Sequence, residues 1–234
     1  MIRDYQFSDP EALAEALAAQ VQKDLAAALQ ERPTATLVVS GGSTPRPFFE
    51  RFRTLALPWD RLTITLADER WVPADHPESN ERMVRDTLLQ GAASQARWVG
   101  LKTAHATVDA AACAACHGRI APLRPFDVVI LGMGTDGHTA SLFPHAPSLA
   151  VGLDLNSGQS CVAVAEEPGE NARRARISLT LPALLDSRRI VLHCTGEEKW
   201  QVYQRARTPG ANSELPLRAV LREAPRGLDV YWAP

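Results

Sequence analysis

The sequence predicts an α/β fold: one three-layer α/β/α domain spanning residues 1–234, built on a mostly parallel, Rossmann-like open sheet. Three observations point there. Short aliphatic or β-branched runs alternate with stretches of helical periodicity. These runs end in glycine or charge, as strands do when they open onto a ligand-binding edge. No internal repeat, low-complexity tract or linker divides the chain.

The elements follow in order. From Pro10 to Gln30, Leu13, Leu17, Val21, Leu25 and Leu29 recur every four residues, the stripe of an amphipathic helix, with Ser8 or Asp9 as N-cap. Thr36–Ser40 reads as a buried strand entering a glycine turn, and Pro45 and Pro47 open a helix holding Phe48, Phe49 and Phe52. Leu62–Leu66 is a second strand, running into Asp68-Glu69-Arg70. Helices are expected over Ser79–Gln90 and Val108–Ile120, with a third strand at Val128–Leu131. Cys161–Ala165 and Ile177–Leu181 are further candidate strands. Ile190–Cys194 is a strand, Gly196–Arg207 and Leu215–Glu223 are helices, and Leu228–Trp232 closes the chain as a strand.

Composition removes several function classes. Lys plus Arg number 25 against 27 Asp plus Glu, a net charge of −2, which argues against a nucleic-acid or anionic-membrane partner. The apolar runs fall far short of the roughly 18–20 residues of a membrane span. Asp4, Asp9 and Glu11 at the start argue against a secretory signal. Cys113, Cys116, Cys161 and Cys194 are too few for a disulfide scaffold. A cytoplasmic protein with reduced thiols is expected, as a monomer or small homo-oligomer acting on a small molecule.

Four predicted strand ends carry polar chemistry, and in a parallel sheet they share one edge. Ser40-Gly41-Gly42-Ser43-Thr44 has two glycines that let backbone N–H groups approach an anion, and two hydroxyls beside a helix N-terminus. It reads as a phosphate cradle; a tight turn with a Ser/Thr cap would use the same residues. Gly132–His138 places a histidine, the side chain best suited to act as a base near neutral pH, after a glycine loop, with Asp136 available to orient it. Asp68 and Arg70 follow a buried strand, Arg176 begins one, and Lys199 sits in a first helical turn, where a cation opposes the macrodipole unless an anion is bound.

Two other patterns compete. Gly132–Gly137 (GMGTDG) fits a dinucleotide fingerprint, with Asp154 about twenty residues on. Pro144 and Pro147, however, leave room for at most two turns of the helix that fingerprint needs. Cys113-Ala114-Ala115-Cys116-His117 fits a haem-attachment spacing, but in an Ala-rich helical stretch. His145 and His193 read as structural or exposed, and no second Cys/His pair has zinc-ligand spacing.

SGGSTP at 40–45, DERWVPADHPESN at 68–80, DVVILGMGTDGHTASLFP at 127–144, RISLTLPALLDS at 176–187 and TGEEKW at 195–200 together resemble the 6-phosphogluconolactonase family over nearly the whole chain. Related glucosamine-6-phosphate deaminases share the phosphate loop, the Asp-Glu pair and the Asp-Gly-His triplet. They typically carry a proton-transferring Glu where Phe143 stands, and a Tyr where Arg70 stands; both differences favour the lactonase branch. The resemblance implies hydrolysis of 6-phospho-D-glucono-1,5-lactone to 6-phosphogluconate in the pentose phosphate pathway, without metal or cofactor. It implies His138 as general base, Asp136 as its partner, and oxyanion donors among the N–H groups of Gly132–Gly137, including Gly134. Gly41, Gly42, Ser43, Thr44, Arg176 and Lys199 would hold the phosphate, Arg70 the substrate or its loop, and Asp68 a shared role.

Overall fold

In the computed structural model, which describes residues 1–167 and 173–234, the apolar runs become strands, β3 over the same residues as its run and β9 extending well beyond its own. The order is β1 (Ile2–Gln6), α1 (Pro10–Glu31), β2 (Ala35–Val39), α2 (Arg46–Phe52), β3 (Leu62–Leu66), β4 (Asp68–Arg70), α3 (Asn80–Thr87), β5 (Arg97–Val99) and α4 (Ala110–Ile120). The chain continues through β6 (Phe126–Leu131), α5 (Leu149–Leu153), β7 (Cys161–Val164), β8 (Arg176–Leu179), α6 (Leu181–Leu185), β9 (Ser187–Thr195), α7 (Glu197–Ala206), α8 (Leu217–Glu223) and β10 (Leu228–Ala233).

Seven strands form one sheet in the order β1-β10-β9-β6-β2-β3-β5, with every pairing parallel. From β2 the chain runs outward to β3 and β5, then returns to β6 on the other side of β2 and runs outward to β9 and β10. Right-handed crossovers in opposite directions put helices on opposite faces. Accordingly α1 packs on α2, while α8 packs on α6 and α7. The reversal between β2 and β6 is the switch point at which such sheets open a crevice.

The α1 stripe faces the core as its spacing requires: Leu13, Leu17, Val21 and Leu25 are fully buried and Leu29 nearly so. Each contributes about 1.5–3 kcal/mol of transfer free energy. Asp9 is the N-cap, accepting from Ala12 N–H at 2.8 Å.

Three strands correct the sequence-based expectation. β4, β8 and β7 form a separate sheet, and both of its pairings are antiparallel. The Asp68-Glu69-Arg70 stretch, expected as a loop, is its edge strand. β1 and β5 were not expected as strands. β1 has a polar, exposed pattern and is held by side-chain pairs: Arg3 donates to Asp229 at 2.6 Å, and Tyr5 stacks on Tyr231 at 4.9 Å between centroids. β5 has only three residues. No helix among the described residues is long and apolar enough to cross a membrane.

Candidate active site

A cleft of about 370 Å³ opens at the switch point. Gly41, Gly42, Ser43, Thr44, Asp68, Arg70, Gly134, His138, Arg176 and Lys199 all line it. Asp136 does not; it reaches the cleft only through His138.

The glycine-turn end is fixed by two sheet strands. The Ser40 hydroxyl donates to Ile130 C=O at 3.0 Å and accepts from Gly132 N–H at 3.2 Å, clamping the end of β2 to β6. Ser40 is therefore a staple, with its hydroxyl already committed. Gly41 is dictated by a neighbour: a Cβ there would lie 1.9 Å from Asn80 Oδ1. Gly42 has φ +96°, a left-handed conformation suited to glycine. α2 has no side-chain cap, so the hydroxyls of Ser43 and Thr44 are not used as the tight-turn alternative would use them. Lys199 reaches across from α7 and donates to Thr44 Oγ1 at 3.3 Å.

The histidine end is equally determined. Asp136 Oδ1 lies 2.5 Å from His138 Nδ1 and accepts from His138 N–H at 3.1 Å. Nε2 is left without a protein partner among the described residues. Burial acts to raise the Asp136 carboxyl, but hydrogen bonds and charge interaction with His138 outweigh it and hold the carboxyl below its ordinary value. Phe143 packs on the imidazole at 4.4 Å between centroids, so the residue that cannot carry a proton forms the wall behind the one that can. No helix follows the loop until α5 at Leu149, so the loop lacks the helix of a dinucleotide fingerprint.

The loop's backbone narrows the expected oxyanion donors. Gly134 N–H is bound to His138 C=O and Gly137 N–H to Gly134 C=O, each at 3.0 Å, and Gly132 N–H is bound to Ser40. Gly134 is thus a spacer, not a free donor. The N–H groups of Met133 and Thr135, both lining the cleft, have no partner among the described residues.

The small antiparallel sheet supplies the third side. Arg70 lies directly opposite Arg176 in register, and Asp68 opposite Ser178. Buried Asp68 accepts from the Ser141 hydroxyl at 2.5 Å and pairs with Arg176 at 3.5 Å. Burial lowers the Arg176 guanidinium below its ordinary value; Asp68 opposes that shift, and the like charges of Arg70 and Arg173 add to it. Arg70, which the resemblance assigns to the substrate or its loop, donates to Glu78 C=O at 2.7 Å and Asn80 Oδ1 at 2.9 Å, both uncharged acceptors.

Several contributors escaped the sequence reading. Glu69 is buried and accepts from the backbone N–H of Arg70, Asn80 and Glu81 at 2.7–2.8 Å, and from Ser79 Oγ at 3.1 Å. Burial pushes its carboxyl up against those hydrogen bonds. It thereby ties β4 to the start of α3 and sets Asn80, which donates to Asp68 C=O at 2.9 Å. The signal lay in Ser79-Asn80 ahead of a helical stretch, but its partner is ten residues upstream. His193, read as structural or exposed, is buried in β9 and lines the cleft. His145 is exposed. Cys116 of the haem-like run is buried against Cys161, and all four cysteines are free thiols.

Known proteins resemble this chain in sequence and in fold. A family model described as glucosamine-6-phosphate isomerases/6-phosphogluconolactonase matches residues 8–232. The chain is 46% identical over 229 residues to the 6-phosphogluconolactonase of Rhizobium meliloti (strain 1021), covering 97% of each chain. It is 39% identical over 233 residues to that of Pseudomonas putida, covering 100% of this chain and 93% of the relative. The crystal structure of a 6-phosphogluconolactonase from Shewanella baltica OS155 matches with a TM-score of 0.94 at 41% identity, covering 100% of this chain and 98% of that one. With fold and sequence matching over nearly its full length, the chain belongs to the glucosamine-6-phosphate isomerase/6-phosphogluconolactonase family of enzymes.

Proposed function

We propose that this enzyme hydrolyses 6-phospho-D-glucono-1,5-lactone to 6-phosphogluconate, with His138 as general base. One observation carries the reading: a carboxylate-held imidazole and a cation-flanked glycine turn line the same cleft. The relatives bearing the lactonase name and the Phe143 wall favour this branch over deamination.

In the proposed reaction the phosphate rests on Gly41–Thr44 beside Lys199, with Arg176 adding charge from the small sheet. The His138 nitrogen not bonded to Asp136 takes a proton from water as the water oxygen attacks the lactone carbonyl. Asp136 holds the tautomer and stabilises the imidazolium that forms. Met133 and Thr135 N–H are the donors open to the tetrahedral oxyanion. The carbonyl carbon–ring oxygen bond then breaks, and the ring oxygen leaves as a hydroxyl with the proton His138 returns. The lactone is already electrophilic, so the mechanism calls on no metal.

The test is lactone hydrolysis corrected for spontaneous ring opening, on the wild type and His138→Ala. Positioned base catalysis is worth about 10²–10⁴-fold, so kcat falls by that factor while phosphate-dependent binding persists. Ammonia release from glucosamine 6-phosphate without lactone hydrolysis would overturn the proposal.

A further inference from the structure

One side chain in the cleft has no part in the reaction just described. His193 lies on β9 opposite Tyr231 of β10, and its ring stands edge-on to Phe48 at 6.4 Å between centroids. It is 4% exposed, yet it lines the cleft with Thr44, Phe49 and Lys199. Nδ1 is buried and has no hydrogen-bond partner among the described residues. Nε2 has no protein partner among them either, but it is not sealed off and meets the cleft.

These facts select a tautomer. A proton on Nδ1 would bury a donor with nothing to receive it, whereas a proton on Nε2 leaves only a lone pair unmatched inside. Orphaned buried N–H groups are the rarer and costlier case. The proton therefore sits on Nε2 and points into the cleft. Burial, with the nearby charge of Lys199, pushes the ring down to about 3, so it remains neutral at any ordinary working pH. An uncharged donor with its other face closed has one obvious use beside a lysine and two hydroxyls.

We propose that His193 is a further binding residue of the phosphate-holding half of the cleft, donating Nε2–H to a phosphate oxygen of the substrate beside Lys199. The assignment rests on the phosphosugar reading of the cleft and adds a ligand to it. A donor facing a charged oxygen is stronger than a neutral pair, so its loss should weaken phosphate binding roughly 10-fold or more.

The test uses the full chain and inorganic phosphate as probe. Long-range proton–nitrogen NMR on the ¹⁵N-labelled wild type should show the Nε2–H tautomer, with that proton shifting when phosphate binds. His193→Phe keeps the ring packing against Phe48 and removes the donor; roughly 10-fold weaker phosphate binding and an equal rise in KM, with kcat within about 3-fold, are expected. His193→Gln, which offers an N–H at a similar reach, should recover most of the loss. An Nδ1–H tautomer would overturn the proposal, as would phosphate that perturbs the Ser43 and Thr44 amides but leaves His193 untouched. If His193→Phe fails to fold, the wild-type tautomer and titration still decide. A wild type that binds phosphate through His193 but does not open the lactone would sink the activity reading and leave this one standing.

Discussion

Gly134 and His138 compete for one volume: a Cβ on residue 134 would lie 2.2 Å from both Nδ1 and Cε1 of the imidazole. The glycine is there because the ring and its Asp136 partner fold back over the loop. Gly134→Ala should therefore rotate the imidazole out of line without touching the core. We expect kcat for lactone hydrolysis to fall about 10²-fold or more, in the range of losing a positioned base, with Tm within a few degrees of wild type. Retention of full activity by Gly134→Ala would remove His138 from the reaction.

The Asp136–His138 pair predicts a pH signature. The folded carboxyl lies below its ordinary value of 3.8. A depressed carboxyl contributes stability that is fully present above the unfolded value and is lost as pH falls through the folded one. The stability difference between wild type and Asp136→Asn should thus stay constant from neutral pH down to about pH 5 and shrink below about pH 4. Denaturant midpoints across that range measure it. In the same variant kcat should drop, because an amide can present the wrong tautomer to the imidazole.

Asp68 and Arg176 form a buried pair rather than a surface one, with side chains 8% and 17% exposed. Removing one partner from such a pair leaves an uncompensated charge, at about 3–5 kcal/mol. Asp68→Ala should lower stability by about 3 kcal/mol, well above the 0–1 kcal/mol typical of exposed pairs. It should also raise KM by freeing Arg176. Chemical denaturation separates these outcomes, since a purely surface role would leave the midpoint unchanged.

Lys199 bridges α7 to the glycine turn through Thr44. Lys199→Met keeps the aliphatic stem and deletes the charge. Phosphate binding should weaken roughly 10- to 100-fold, with kcat changed only a few-fold. Calorimetric titration with inorganic phosphate reads this directly, and unchanged affinity would place the phosphate elsewhere in the cleft.

The strands of the large sheet and the long first helix were legible because apolar spacing dictates them: Leu13 to Leu29 can face only one way, and Leu62–Leu66 leaves solvent on neither side. β1 was illegible because Arg3 and Tyr5 hold it through partners more than two hundred residues away. β4 was hidden for a related reason, since its three charged residues serve partners and the cleft, not a hydrophobic face. Within the site, glycines, hydroxyls and the Asp-Gly-His triplet showed in the sequence because their chemistry is local. Asn80, which excludes any side chain at Gly41, acts across 39 positions, so nothing local to the turn reveals it. His193 did leave one, as a polar ring inside the apolar run IVLHC, yet a buried histidine of no function reads the same way in one dimension.

The division of the cleft between two sheets has a consequence for how such an enzyme changes its diet. In the proposed reading, residues following β2, β6 and β9 of the parallel sheet hold the phosphate. The short antiparallel ribbon bearing Asp68, Arg70 and Arg176 forms a separate wall of the cleft beside them. On that reading, a change confined to Arg70 would alter which ring the ribbon accepts while the glycine turn and Lys199 keep their hold on the phosphate.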